Sequence, residues 1–168
     1  MVTALKSKVA SKESSLLRFD ELSMKEVEES SKARRVVIIP VGSVEEHGDH
    51  LPLCTDSIQP EYVALQVAKI TGSLVAPSLR YGVCNTTRNF PGTISVSFHS
   101  LHETMHDILD EFIRNGFSRL LVLSGHAGQA HMAALRLAAQ DVMRQHRDDN
   151  RKRKPRIMVC SDYDFAYE

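Results

Sequence analysis

Six side chains of the kinds that bind metal ions lie in one short polar loop: Glu45, Glu46, His47, Asp49, His50 and Asp56. Carboxylate oxygens and imidazole nitrogens are common protein ligands of divalent metals such as zinc and manganese. A later segment flanks His126 with Gly125 and Gly128, which allow the backbone to turn tightly. Because a carboxylate can bridge two ions, these residue types could form a centre of one or two metals with a shared hydroxide for hydrolysis.

Each of these polar segments directly follows an apolar run that predicts a buried β-strand. Residues 36–41 precede the first segment, and the aliphatic residues 120–123 precede the second. Loops that leave the carboxyl ends of parallel strands open onto the same edge of a sheet, where α/β proteins bind their ligands. We therefore expect four side chains to meet at one rim as candidate metal ligands: Glu45, His47, Asp56 and His126. On residue types and spacing alone, the alternative stays open that these groups are solvated or hydrogen-bond their own turns.

The remaining pattern alternates short apolar runs with helical periodicity. The predicted strands are 36–41, 74–76, 94–98, 120–123 and 157–160. The predicted helices are about 24–30, from 56 or 57 to Gly72, from Ser100 to Gly116, and about 129–145. This alternation is typical of a mostly parallel sheet covered on both faces, a three-layer α/β/α sandwich. We interpret residues 1–22 as a flexible N-terminal segment and residues 23–168 as one domain.

Composition narrows the class of protein. The chain has 168 residues with 21 basic and 21 acidic side chains, and this balance gives no support for a nucleic-acid or membrane partner. The N-terminus lacks the apolar core of a secretion signal, and three widely spaced cysteines indicate reduced thiols, so we expect a cytoplasmic protein. Cys54 lies inside the ligand loop and could act as a metal thiolate, although packing is the favoured interpretation. The basic run 151–154 is interpreted as a solvated loop.

A second motif competes for the metal. The run from His102 to His106 matches HExxH, in which two histidines on one helical face bind zinc and the glutamate acts as a base. Glu103 is better explained as the acidic partner of Ser100 in a helix capping box. No convincing third ligand follows in the sequence, so a zinc peptidase is kept only as the weaker alternative.

Three sequence blocks resemble the creatininase (creatinine amidohydrolase) family. PVGSVEEHGDHLPLCTD resembles the family signature, YGVCNTTRNFPGTIS resembles its next block, and GFSRLLVLSGHAGQAH resembles its Gly-His-Gly-Gly-Asn block. They occur in the family order over about residues 36–140. The resemblance implies a creatininase-like α/β sandwich, up to two zinc or manganese ions per chain, and assembly into a homo-oligomer.

The resemblance also implies roles for single residues. Glu45 would bind one metal and His47 the other, Asp56 would bridge the two, and His126 would complete the first site. Three further positions would lie behind the ligands or on the substrate side: Asp49, His50 and Gly128. The implied reaction is attack of a metal-bound hydroxide on a non-peptide C–N bond of a small amide, of the cyclic amide or formamide type. No catalytic proton donor can be named.

The chain departs from the family at the second metal. Creatininase has a glutamate ligand at the position of Gly128, and members with glycine there take a carboxylate from a later His-Ala-Gly-Glu block. This sequence ends at Glu168 without that block. Thr87 and Arg88 stand where many members carry a histidine, which would alter the substrate. The alternative function is therefore a shortened, catalytically weak metal-binding or interaction protein on the same fold.

Overall fold

A central sheet of four parallel strands organises the described part of the chain. The computed structural model describes residues 17–147 and 154–165. The strands are β1 (Val37–Val41), β2 (Leu74–Val75), β3 (Arg119–Ser124) and β4 (Arg156–Ser161), in the order β2-β1-β3-β4. The α-helices are α1 (Met24–Lys32), α2 (Thr55–Thr71), α3 (Phe98–Arg114) and α4 (Gln129–Gln145). No helix in this part of the chain combines the length and the apolar character needed to cross a bilayer.

Alternating side chains of the strands pack against helices on both faces of the sheet. Val37 and Ile39 of β1 belong to a large apolar cluster that also contains Leu109 of α3 and residues of α4. Ile38, between them, faces a smaller cluster with Ala64 of α2. Full burial of each such aliphatic side chain contributes about 1.5–3 kcal/mol to folding. The predicted parallel sheet and its three-layer α/β/α arrangement are confirmed.

Several local predictions are confirmed at helix ends. The spacing of Ser23 and Glu26 predicts a capping box, and these residues form it at the start of α1. Helix α2 ends at Gly72, whose φ of 70° lies in the left-handed region that favours glycine. Helix α4 runs from Gln129 to Gln145, as the periodicity predicts.

The predicted start of α3 is wrong. The helix begins at Phe98, because the Ser97 hydroxyl caps it by accepting a hydrogen bond from the Ser100 N–H at 3.0 Å. Glu103 therefore lies within the helix, next to His102, and does not belong to a capping box. The predicted strand 94–98 is also absent, since these residues form isolated backbone bonds with Val44 and Gly82 and then enter the helix.

The buried face of α2 also differs from the prediction. The helical periodicity predicts a buried stripe of four residues: Val63, Ala64, Val67 and Ile70. Of these, Val67 and Ile70 are 36% and 86% exposed. Ala64 is completely buried, as predicted, and Ala68 is completely buried although it was not expected in the stripe. Small side chains allow the helix to approach the sheet closely, and this close approach brings the first turn of α2 to the carboxyl edge of the strands.

The N-terminal segment is described only from residue 17. There Arg18 pairs with Val75, and Phe19 packs edge-on against Phe112 and Phe117 with ring centroids 5.0 and 5.8 Å apart. Residues 17–22 therefore pack against the domain, unlike the flexible segment expected for 1–22. Residues 1–16 and most of the basic run 151–154 lie outside the described residues.

Candidate metal centre

The two polar loops leave neighbouring strands at the same edge of the sheet. β1 and β3 are paired in parallel, with Val41 opposite Ser124, so the chain continues from both strands at one level. Gly42 and Gly125 follow these strands, and a Cβ atom on either would lie 2.4 Å from the backbone oxygen of Asp56. The two glycines therefore allow the first turn of α2, with its carboxylate, to lie between the loops.

The four predicted ligands lie together at this edge. The Nδ1 atom of His126 is 2.8 Å from Glu45 Oε1 and 3.0 Å from Asp56 Oδ2. The other oxygen of Asp56, Oδ1, is 2.9 Å from Nε2 of His47. Asp56 thus directs one oxygen to each imidazole, as a carboxylate that bridges two metal ions would.

Burial and charge act in opposite directions on the protons of this cluster. Burial favours the neutral form of Asp56, but hydrogen bonds with His126, Glu45 and Ser43 outweigh it and lower the pKa to about 2. Burial lowers the pKa of His126, but its hydrogen bond to Asp56 and the charge of Glu45 raise it more, so the net shift is upward. The pKa of His47 is also raised on balance, since the Glu45 carbonyl and the Asp56 charge outweigh desolvation. The cluster thus attracts positive charge.

Hydrogen bonds behind the ligands hold their orientation. His126 donates from Nε2 to the carbonyl of Val83 at 3.1 Å, so its Nδ1 atom faces the carboxylates. His47 donates from Nδ1 to the Glu45 carbonyl, which leaves Nε2 for Asp56. Such partners fix the tautomer and ring orientation of metal-binding histidines.

The ligand carboxylates have fixed partners of their own, which sequence reasoning missed. The Ser43 hydroxyl donates to Asp56 Oδ2 at 2.8 Å, and the Thr87 hydroxyl donates to Glu45 Oε2 at 2.5 Å. Thr87 stands at a position where the departure from the family was expected to alter the choice of substrate, but its hydroxyl contacts a candidate metal ligand directly.

His131 is a further residue that the sequence did not single out. Its ring is fully buried, and burial together with the charge on His126 lowers its pKa to about 3, so the ring is neutral. Nδ1 accepts from the Val83 N–H at 3.3 Å, so Nε2 carries the proton and donates to Ser124 Oγ at 3.1 Å. The Ser124 hydroxyl in turn donates to the backbone oxygen of His126 at 2.8 Å. His131 lies only five positions after His126, in the first turn of α4, so its spacing in the sequence could have indicated a place beside the ligand.

The other residues that were predicted near the site are not part of the ligand cluster. Asp49 and His50 are exposed, and Glu46 accepts a hydrogen bond from the Gly48 N–H, away from the ligands. A Cβ atom on Gly128 would lie 2.6 Å from His126 Nε2, so this orientation of the ring leaves no room for a side chain there.

The described residues contain two groups of three potential ligand side chains, and within each group the ligand atoms all lie within 4.8 Å of one another. One is Glu45, His47 and Asp56, and the other is Glu45, Cys84 and His126. Neither contains the HExxH histidines. His102 instead hydrogen-bonds Asp141 of α4 at 3.1 Å and its own neighbour Glu103 at 3.0 Å. Carboxylate and imidazole donors at these distances suit a divalent cation, so the residues fit a metal.

A family model described as creatinine amidohydrolase matches residues 20–167. The creatinine amidohydrolase of Pseudomonas putida is 38% identical over 112 residues, which cover 63% of this chain and 43% of that protein. A mycofactocin precursor peptide peptidase of Mycolicibacterium smegmatis is 35% identical over 112 residues, 61% of this chain and 44% of that protein. The chain thus spans less than half the length of these curated relatives.

Solved structures of creatininases are also similar to this chain. A crystal structure of a creatinine amidohydrolase superposes with a TM-score of 0.84 at 30% identity, over 90% of this chain and 60% of that chain. Related structures include a Zn–Zn form of a mutant, with a TM-score of 0.82, and a manganese form, with a TM-score of 0.84.

Proposed function

Because this chain belongs to the creatininase family, we propose that it is a metal-dependent hydrolase that acts on a non-peptide C–N bond. The observation that carries the proposal is the meeting of two imidazoles and two carboxylates at the carboxyl edge of β1 and β3. His126 Nδ1 lies 2.8 Å from Glu45, and His47 Nε2 lies 2.9 Å from Asp56.

The proposed cofactor is a divalent metal, zinc or manganese, at up to two ions per chain. Glu45 and His126 would hold one ion and His47 the other, with Asp56 between them. The zinc and manganese forms of the related creatininases support this choice. When bound, such an ion supplies Lewis acidity and lowers the pKa of water. The protein's own contribution is to hold the donor atoms in place: Ser43 and Thr87 orient the carboxylates, and the Val83 carbonyl orients His126.

The proposed substrate is a small amide, either cyclic or of the formamide type. The name of the Pseudomonas putida relative supports a cyclic amide, whereas the name of the mycobacterial relative denotes a peptidase. We further propose a cytoplasmic location, in keeping with three free cysteines, and a homo-oligomer. Exposed apolar side chains, such as Met158 on edge strand β4, are consistent with association.

The alternative is a metal-binding or interaction protein of weak activity on the same fold. Gly128 is the observation that favours it, because it leaves the second site with only His47 and Asp56 of the residues identified above. A single metal per chain is then expected, bound mainly through Glu45 and His126.

Metal analysis of the purified chain tests the proposal. We expect about two zinc or manganese ions per chain for the enzyme, and one or none for the alternative. His126→Ala should abolish metal binding, whereas His102→Ala should leave it unchanged. Hydrolysis of creatinine and of a formamide should follow metal loading in the wild type. Retention of metal by the first variant and its loss in the second would overturn the proposal and reinstate the HExxH peptidase.

A further inference from the structure

A buried thiol faces the first metal position from a third segment of the chain. Cys84 is 1% exposed, and its sulfur lies within 4.8 Å of ligand atoms of Glu45 and His126. The thiol therefore lies beside a carboxylate and an imidazole, unlike a cysteine that only fills an apolar core.

The backbone around Cys84 is fixed to the same cluster. The Val83 carbonyl accepts the hydrogen bond from His126, and the Val83 N–H donates to His131. The Cys84 N–H donates to Ser95 Oγ at 2.9 Å. These bonds hold the sulfur beside the imidazole and carboxylate, so its position there follows from the same contacts that orient the ligand.

Cys160 provides an internal comparison. It is equally well buried, at 4% exposure, but it lies in the apolar cluster of Ile38 and Ala64. Of the three cysteines, all of which lie in the described residues, only Cys84 belongs to one of the two groups of potential ligand atoms. Burial alone therefore does not explain its location.

We propose that Cys84 is a thiolate ligand of the metal held by Glu45 and His126, and that it makes this position selective for zinc over manganese. The inference rests on the proposed metal-dependent function. With a zinc–sulfur bond of about 2.3 Å and a zinc–nitrogen bond of about 2.0–2.1 Å, two ligand atoms on one zinc ion lie at most about 4.4 Å apart. The ligand atoms of Glu45, Cys84 and His126 lie within 4.8 Å of one another, so these side chains would move together to bind one ion. On binding, the thiol proton leaves to solvent and a metal–sulfur bond forms. Thiolate is a soft ligand that favours zinc, whereas manganese prefers oxygen ligands.

Cobalt substitution of the full chain tests the sulfur ligand directly. We expect Co²⁺ added to metal-free protein to give near-ultraviolet sulfur-to-cobalt charge-transfer absorption beside the visible d–d bands. Cys84→Ser and Cys84→Ala should lose the charge-transfer absorption, and Cys160→Ser should retain it. Circular dichroism and thermal unfolding of the metal-free variants check that each one folds.

The outcomes separate this inference from the proposed function. Cobalt bound with visible bands but without charge-transfer absorption in the wild type would overturn the sulfur ligand and leave the metal site standing. Failure of the wild type to bind cobalt at all would overturn both. Retention of the absorption in both Cys84 variants would also overturn the inference.

Competition between metals tests the selectivity. In dialysis against equal concentrations of Zn²⁺ and Mn²⁺, the wild type should retain mainly zinc. Cys84→Ser should lower the retained zinc-to-manganese ratio by about tenfold, because a soft ligand is replaced by a hard one. The same ratio in the wild type, Cys84→Ser and Cys160→Ser would contradict the proposed selectivity.

Discussion

The two histidines among the candidate ligands can bind either a proton or a metal ion. The stability of the metal-free protein and the stability that the metal adds should therefore depend on pH in opposite directions. His47 and His126 have raised pKa values in the fold. Their stabilising contribution to the metal-free protein is therefore complete below about pH 6.5, the unfolded value, and is lost as the pH rises through the folded values. Metal must displace these protons, so the stability that it adds should grow over the same range.

Urea unfolding at several pH values between about 7 and 8.5, where His131 is neutral in both the folded and the unfolded protein, measures both trends. We expect the free energy of unfolding of the chelator-treated protein to fall with increasing pH, and the increment from added zinc to rise. His126→Asn should reduce the first slope, because it removes one of the two imidazoles. A metal-free protein that becomes more stable with increasing pH would contradict the charge balance described for this cluster.

The neutral ring of His131 is predicted to position His126 through Ser124. His131→Asn removes the hydrogen bonds that connect the Val83 backbone with the Ser124 hydroxyl. Loss of an outer hydrogen-bonding partner typically lowers metal affinity by about 10–100-fold, which competition with a chelating dye can measure. Ser124→Ala should weaken metal binding in the same direction.

His146 offers the matched control. It is also a buried histidine next to α4, but its ring bonds Asp110, away from the ligands. His146→Asn should reduce stability without a change in metal affinity. Equal metal affinities in wild type and His131→Asn would exclude the positioning role.

Residue types and spacing were sufficient to predict that Glu45, His47, Asp56 and His126 meet at one edge of the sheet, but not which groups surround them. Cys54 was considered as a thiolate because it lies in the ligand loop, yet it belongs to neither group of potential ligands in the described residues, and Cys84 does. Cys84 reaches the site from another segment, and its proximity depends on tertiary contacts that have no signature in a local sequence pattern. His131 lies only five positions after His126, but neither its residue type nor its place in a predicted helix distinguished it from a packed core histidine.

At the scale of elements, two glycines determine where α2 begins relative to the sheet. A Cβ atom on Gly125 would lie 2.4 Å from the Asp56 backbone oxygen and 2.6 Å from Pro60 Cδ. Gly125→Ala should therefore displace the first turn of α2, lower the free energy of unfolding by about 1–3 kcal/mol and weaken metal binding. Urea unfolding and a metal titration measure the two effects.

Gly72 is the control at the other end of the same helix. It has a φ of 70°, but a Cβ atom there would meet no atom within 4 Å. Gly72→Ala should cost about 1 kcal/mol through backbone strain and leave metal affinity unchanged. Equal metal affinities in the two alanine variants would show that close packing at Gly125 does not position Asp56.

Element types were easier to predict than their ends. Ser97 and Ser100 both suit a helix cap, and the box pattern with Glu103 favoured the wrong one. The observed cap places Phe98 in the helix, and this removes the last residue of the predicted strand. Similarly, periodicity identified α2 but placed Val67 and Ile70 in its buried stripe, because apolar character alone does not reveal a surface where only alanine fits.

At the scale of the whole molecule, the alternation of strands and helices was enough to predict a parallel sheet with two covered faces. Parallel pairing of β1 with β3 then brings together segments that are distant in the chain. Asp56 and His126 are separated by 70 positions, yet their side chains are 3.0 Å apart. The site can therefore form only when the sheet and α2 have assembled.

This dependence predicts that metal binding stabilises the entire domain. An ion held by Glu45, Asp56 and His126 joins the loop after β1, the start of α2 and the loop after β3. Since the unfolded chain lacks this arrangement, binding adds about 2.7 kcal/mol to the free energy of unfolding when free metal is 100 times its Kd. We expect a chelator to lower the Tm and zinc to restore it.

The variant His126→Ala should show no increase in Tm with zinc. His102→Ala should show the same increase as the wild type, because His102 of α3 bonds Asp141 of α4 and belongs to neither group of potential ligands. A wild-type Tm that is insensitive to chelator, in protein that demonstrably contains the ion, would place that ion outside the folded core. Coupling between metal and Tm in wild type and His102→Ala, but not in His126→Ala, would instead locate the bound ion at the junction of β1, α2 and β3.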